Sequence, residues 1–344
     1  MRPARTWVKA MRTAIGDYMG AVSKYRSHIM GFAIVCILFF HGGVRFAEPW
    51  NYFLNLLWGV DIFFFCTGMG IHRSLSRNGD VLGFYKRRIS RIYPMYWRVV
   101  IFFFIPVFFA ALREGWVPTA LKELLGNLAM LGWINGMGHQ FNWYPQAICL
   151  VYLAAPALFL AVRRFGESGR KLALFFGFFV VTQICFFNSG FLILYSRLLY
   201  FIMGLIAAEL AERGSKLKLN VPVLLVCFVA GNYLMYYGQR FPTEILWGYG
   251  LSWYPGLLIV PGALWLLTRV FALCERAAWA KWVNAFFELM GKWSFEIFLV
   301  HLLLFGWIAP LNIQGNWAWL GIIALSVVLA IGCGKLQKLG SRRS

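Results

Sequence analysis

Ten stretches of this chain read as membrane spans: 29–46, 51–71, 92–112, 143–162, 172–188, 191–208, 221–237, 252–268, 293–310 and 317–334. Crossing a hydrocarbon core takes about 20 predominantly apolar residues in a helix. Lipid offers no water to a free N–H or C=O, so each span must close its hydrogen bonds within itself, as a helix does. The expected fold is therefore all-α, a polytopic transmembrane helix bundle of about ten spans in the cell membrane. The composition agrees, since only 13% of residues are charged where a soluble domain carries about 25%.

One further segment, 118–137, is ambiguous, because Lys122, Glu123, Asn127 and Asn135 interrupt it. The distribution of basic residues resolves it. If 118–137 does not cross and the N-terminus is inside, 27 of the 33 Lys and Arg fall in inner segments. Only Arg45, Arg113, Lys122 and Arg240 then lie outside, with Arg98 and Arg197 within spans. That bias is what the positive-inside rule requires. Both termini are expected in the cytoplasm, with 118–137 an outer re-entrant or interfacial helix bounded by Trp133 and the polar stretch Gly136–Asn142.

Three regions follow. Residues 1–28 carry Trp7, Val8, Met11, Ile15, Met19 and Val22 near helical spacing among basic residues, an amphipathic segment for the cytoplasmic leaflet. Residues 29–335 form the membrane domain, and 336–344 are a basic cytoplasmic tail. The net charge of +20 belongs to this topology signal rather than to nucleic-acid binding. Cys36, Cys66, Cys149, Cys185, Cys227, Cys274 and Cys333 are scattered without metal-like spacing, so neither a disulfide nor a metal site is expected.

Six ionisable side chains interrupt the apolar spans: His41, Asp61, Arg98, Arg197, Glu296 and His301. Each costs roughly 2.5–3.5 kcal/mol at a bilayer centre, so such residues are functional or paired. His41 and Asp61 each lie about eleven residues into a span, near the midplane at about 1.5 Å per residue. A neutral imidazole there suits proton abstraction. Asp61 either pairs with a buried arginine or orients His41 as the carboxylate of a dyad does. His301 is placed to approach the same depth. Glu296 is nearer the cytoplasm, where a basic partner is expected. Arg197 meets an acceptor or a carboxylate. Arg98 snorkels to the headgroups or joins the basic cluster on the preceding loop.

That cluster is Arg87-Arg88-Ile89-Ser90-Arg91-Ile92-Tyr93-Pro94-Met95-Tyr96, at the junction of the second and third spans. Arg87, Arg88 and Arg91 project from about one helical turn, and guanidinium groups bind phosphates by paired hydrogen bonds. The second span contains Gly59-Val60-Asp61-Ile62-Phe63-Phe64-Phe65-Cys66-Thr67-Gly68, and the ninth Ser294-Phe295-Glu296-Ile297-Phe298-Leu299-Val300-His301. With a first span running to Phe40-His41, these motifs in this order resemble the acyltransferase-3 family of integral membrane acyltransferases. The resemblance runs from about residue 26 to 335. Asn142-Trp143-Tyr144 also looks like the family's Trp-containing start of the fourth span.

The resemblance implies an enzyme that moves an acyl group, commonly acetyl, from cytoplasmic acyl-CoA to a hydroxyl outside. By the match His41 would be the essential histidine; Asp61 and His301 join it in the expected catalytic set by their depth in the spans. Arg88 and Arg91 would be the paired arginines of the junction, with Arg87 adjoining them at the donor's phosphates. Met30 stands where many members carry an arginine, and Thr67 replaces the usual serine. No cofactor is expected to stay bound; acyl-CoA is a donor substrate. The expected partners are membrane lipids, a cell-surface glycan or lipid-linked sugar as acceptor, and a separate extracytoplasmic transferase that takes over the acyl group. The rival reading is a transporter or flippase of a lipid-linked saccharide, which intramembrane charges also suit. It lacks the paired Gly/Pro-broken spans typical of repeat-built carriers.

The thread makes a direct prediction. In a cysteine-free background, a cysteine at Gly138 should react with an impermeant thiol reagent outside intact cells, and one at Gly166 only after permeabilisation. Outside labelling at Gly166 would mean that 118–137 crosses.

Overall fold

A computed structural model describes residues 12–48, 50–54, 56, 58–132, 143–183, 192–240 and 254–340. Trp7 and Val8 of the amphipathic segment, Trp133, Gly136–Asn142, Cys185 and most of the loop after Arg240 lie outside the described residues. The helices are α1 (Ile15–Lys24), α2 (Arg26–His41), α3 (Trp50–Leu54), α4 (Gly59–Arg77), α5 (Val81–Glu114), α6 (Val117–Leu128), α7 (Trp143–Phe165), α8 (Gly169–Thr182), α9 (Leu192–Glu212), α10 (Val221–Arg240), α11 (Pro255–Arg276), α12 (Lys281–Lys292), α13 (Ser294–Ile308) and α14 (Asn316–Gly340). The described fold is a helix bundle, as expected. Its one small sheet pairs β1 (Arg12–Ala14) antiparallel with β2 (Lys218–Asn220). Seven described helices are long and apolar enough to cross a membrane, or eight if α1 and α2, bent by 69°, count as one. Helices α4 and α8, which coincide with the second and fifth expected spans, are not among them.

The chain divides into two compact units: 1–33, 58–79 and 155–291 in one, 34–57, 80–154 and 292–344 in the other. In the first, α4 and α9 cross where both are glycine. A Cβ on Gly68 would overlap the Phe201 carbonyl oxygen, and one on Gly204 would overlap that of Phe65. Without a hydrophobic force between helices in lipid, such close backbone approach is how spans gain contact. Ion pairs flank the crossing on both sides. Asp61 meets Arg197 near the N-terminal end of both helices, and His72 meets Glu209 near the C-terminal end of both. Helices α4 and α9 therefore run in the same sense. A thread in which 118–137 stays on one side requires this, since a crossing there would reverse α9 against α4.

The second unit is built on α5, whose 34 residues exceed what a bilayer needs. Asp80 caps it, accepting from the Gly83 N–H at 2.8 Å, and Gly115 ends it in the left-handed region at φ 80°. The chain then turns back. Helix α6 runs beside α5 until Tyr96 Oη donates to the Asn127 carbonyl at 2.8 Å and Trp97 Nε1 to that of Leu128 at 3.0 Å. Those contacts lie about 26 Å back along α5 from Glu114, at about 1.5 Å per residue. Helix α13 packs on α5 and α14, with Gly306 against the Phe103 ring.

The glycine crossing is directly testable. Gly68→Ala or Gly204→Ala forces α4 and α9 apart, at a cost of about 1–3 kcal/mol typical of overpacking. The purified variants should melt several degrees below the wild type in the same detergent. Unchanged melting would mean that the helices do not meet there.

Candidate active site

In the second unit, the last residue of α2 meets the middle of α13. His41 Nδ1 lies 2.9 Å from His301 Nε2, with the ring centres 5.2 Å apart and the ring planes within 14° of each other, edge to edge. A third contact decides which nitrogen holds which proton. His301 Nδ1 lies 3.0 Å from the Ile297 carbonyl oxygen, one turn back on its own helix. A carbonyl only accepts, so Nδ1 of His301 carries the hydrogen. Its Nε2 is then the lone-pair nitrogen, and His41 Nδ1 must be the donor to it. His41 is left with a bare Nε2. His301 is fully buried while His41 is half-buried, so the exposed member of the pair presents the free lone pair.

The surroundings hold this pair rigidly. Phe298 and Phe305 stand edge-on to His301 at 5.4 and 5.3 Å, and Tyr144 of α7 packs on Phe298 at 4.7 Å. Just after His41, Arg45 Nη1 donates to the carbonyls of Gly42 and Val44, closing the loop that follows α2. The Arg45 backbone and the Asn316 side chain exchange two hydrogen bonds, tying this loop to the start of α14.

The junction arginines separate. Arg88 is half-buried, with its guanidinium 5.4 Å from the ring centres of both Phe84 and Tyr152. It lines a cavity of about 260 Å³ that runs past Tyr85, Tyr93 and Cys149 to Gln146. Arg87 and Arg91 are exposed and do not line it. Gln146 stands in the first turn of α7. There Gln146 Nε2 donates to Asn127 Oδ1 at 3.2 Å and to Tyr96 Oη at 3.4 Å. Sequence reasoning passed over Gln146, although a glutamine in the first turn of an apolar span was a readable signal. Arg98 is exposed along a separate groove of about 670 Å³, with Ser90 and Gln337 at the same end. Glu296 forms no ion pair among the described residues; its Cγ lies beside Gly334.

In the first unit, Asp61 is fully buried and engaged. Arg197 Nε lies 3.2 Å from its Oδ1, and the Tyr200 hydroxyl donates to its carboxylate. A Cβ on Gly256 would lie 2.7 Å from Asp61 Oδ2 and would overlap the Tyr200 hydroxyl, so glycine makes the room for this cluster. Of the two readings open for Asp61, the buried arginine is thus present. The ring nitrogen of His41 that a dyad carboxylate would address is bonded to His301. A second buried histidine, His72, lies 2.6 Å from Glu209, whose other oxygen accepts from Arg213. It sits near the end of its span, where histidine resembles an ordinary loop residue.

Residues 29–335 match the family described as an acyltransferase domain, the acyltransferase-3 family. Neither a curated protein nor a solved structure matches the chain.

The Asp61 cluster yields a stability test. Asp61→Ala leaves the Arg197 charge buried without its carboxylate, a loss typically worth about 3–5 kcal/mol. Replacing both Asp61 and Arg197 by apolar residues of similar volume should recover much of it. Detergent melting curves compare the two. A double variant as unstable as Asp61→Ala would mean that the pair is not what Asp61 contributes.

Proposed function

Since the chain belongs to the acyltransferase-3 family, and is thus a multi-pass membrane acyltransferase, we propose that it moves an acyl group, acetyl in the simplest case, from cytoplasmic acyl-CoA to a hydroxyl of a cell-surface glycan or lipid-linked sugar. The observation that carries the proposal is the oriented histidine pair. The Ile297 carbonyl sets the proton on His301, His301 sets the proton on His41, and His41 Nε2 remains as the base.

In this mechanism His41 Nε2 takes the acceptor hydroxyl proton while the hydroxyl oxygen bonds to the thioester carbonyl carbon. The imidazolium that forms keeps its Nδ1–H on His301 Nε2, a hydrogen bond that strengthens once the donor is charged. The carbon–sulfur bond then breaks. The departing sulfur takes the proton back from His41, giving free CoA and an O-acyl ester. His301 acts through His41, in the place a carboxylate holds in other triads. Asp61 serves at one remove, by holding Arg197 and Tyr200.

Arg88 marks the donor's mouth. Held against the Phe84 and Tyr152 rings beside a cavity that also reaches Gln146, it is set to bind a phosphate while the donor's arm enters. Arg87 and Arg91, exposed on the same helix, add charge around it. The product either stays on its acceptor or passes to a separate extracytoplasmic transferase.

Purified His41→Ala protein should lose about 10²–10⁴-fold in acyl transfer from acetyl-CoA, the range of general-base catalysis, while staying folded with a melting point lowered only by the loss of its bond to His301. The His41→Ala, His301→Ala double variant should be no slower than His41→Ala alone, because the two act as a unit. Arg88→Gln should instead raise the apparent KM for acetyl-CoA by about tenfold or more, losing a charge-assisted bond of about 1.5–3 kcal/mol. Wild-type turnover in His41→Ala would overturn the assignment. Mass analysis of surface glycans checks the reaction class: disruption of the gene should remove one acyl mass, whereas loss of a whole glycan would favour a flippase.

A further inference from the structure

Three arginines that this mechanism does not use converge in the first unit, at the start of α2 and the end of α4. Gly70, Arg73 and Arg77 are spaced i, i+3 and i+7 and share one stripe of α4. The Arg26 guanidinium lies along that stripe. A Cβ on Gly70 would stand 3.3 Å from its Nη2 and 3.6 Å from its Cζ, so the absent side chain leaves the space it occupies. Arg73 Nη1 donates to Ser23 Oγ. Arg77 is exposed at the rim. Arg26 Nε and Ser76 Oγ are buried and, among the described residues, have no hydrogen-bond partner.

The nearby carboxylates are committed elsewhere. Glu275 takes Lys24 at 2.7 Å and the Tyr25 hydroxyl. Glu209 takes His72 and Arg213. Glu212 lies 3.5 Å from His72 Nδ1, and its charge also acts on Arg73. Arg73 is held below the ordinary guanidinium range, by burial first and then by the charges of Arg77 and Arg26. Where this end of the unit supplies a carboxylate, the cation beside it is paired, as Lys24 shows. Arg26, Arg73 and Arg77 are packed together with one shared acid and unspent donors. Like charges so placed repel unless an anion joins them.

We infer that Arg26, Arg73 and Arg77 form a binding site for a phosphate-bearing anion, with Ser76 as an added hydroxyl donor. Planar guanidinium forks are the groups best matched to phosphate oxygens. Two sources carry that chemistry on the cytoplasmic side: the phosphates of a CoA donor and the headgroup of an anionic phospholipid. The inference does not rest on His41 or on acyl transfer, because binding is read directly.

The test uses the full-length protein and the variants Arg26→Gln, Arg73→Gln and Gly70→Ala. Gly70→Ala keeps every charge and only pushes on Arg26. Calorimetry measures the Kd for coenzyme A in detergent. Native mass spectrometry measures phosphatidylglycerol retained after exchange into phosphatidylcholine nanodiscs. Weakening of coenzyme A binding by about tenfold or more in all three variants, with lipid retention unchanged, assigns the site to the donor's phosphates. Loss of retained phosphatidylglycerol with unchanged coenzyme A affinity assigns it to a headgroup. If Arg73→Gln fails to fold, Gly70→Ala and Arg77→Gln, at the exposed rim, carry the same comparison. Folded variants that change neither quantity would overturn the site.

Discussion

A hydrocarbon interior supplies no water to a stranded polar group, and the arrangement of the buried side chains follows from that shortage. His41 meets His301, Asp61 meets Arg197 and Tyr200, and His72 meets Glu209. In each case the partner comes from a different helix, so satisfying the group also fixes one helix against another. The same logic turns a packing requirement into chemistry at His41. An imidazole has two ring nitrogens, and meeting one of them defines the state of the other. Because the Ile297 carbonyl orients the buried histidine, the half-buried one is left with a lone pair on Nε2.

Such pairs form only if the helices approach closely, and small residues permit that. Gly68 and Gly204 let α4 and α9 touch backbone to backbone, and these two helices supply both Asp61–Arg197 and His72–Glu209. At the start of α2 the pattern recurs, with Gly31 against Phe287 and Gly291 against Ser27. Gly70 is used differently: its missing side chain makes room for a guanidinium rather than for another backbone. The ionic pairs and the glycines are thus one design, since removing either the close approach or the partner strands a charge in a medium that penalises it.

Basic residues serve two physical roles here. Most are exposed and lie between the apolar runs, where the positive-inside rule makes them count collectively. A few are drawn inward and act singly. Arg88 lies against two aromatic rings beside a cavity, Arg197 neutralises a buried carboxylate, and Arg26 lies along α4 with a buried donor unspent. Exposure separates these classes, which is why Arg87, Arg88 and Arg91 look equivalent as a string and are not equivalent once α5 is wound and packed.

Hydropathy and charge bias alone determined the fold class, because the bilayer imposes helices of a set length and because short loops retain their positive charge. The motifs around His41, Asp61 and His301 were legible because an ionisable residue inside an apolar run is costly enough to stand out, and Arg88 because it sits in a dense basic cluster between two spans. What no string of residues could decide was which of these groups meet. Asp61 and His41 lie at similar expected depths, yet Asp61 is satisfied by Arg197 and Tyr200, and His41 by His301. Depth follows from counting residues along one helix, whereas a hydrogen bond depends on the rotation and crossing of two. The tautomer of His41 lies further still from the sequence, because it follows from a backbone carbonyl one turn before a different histidine on another helix.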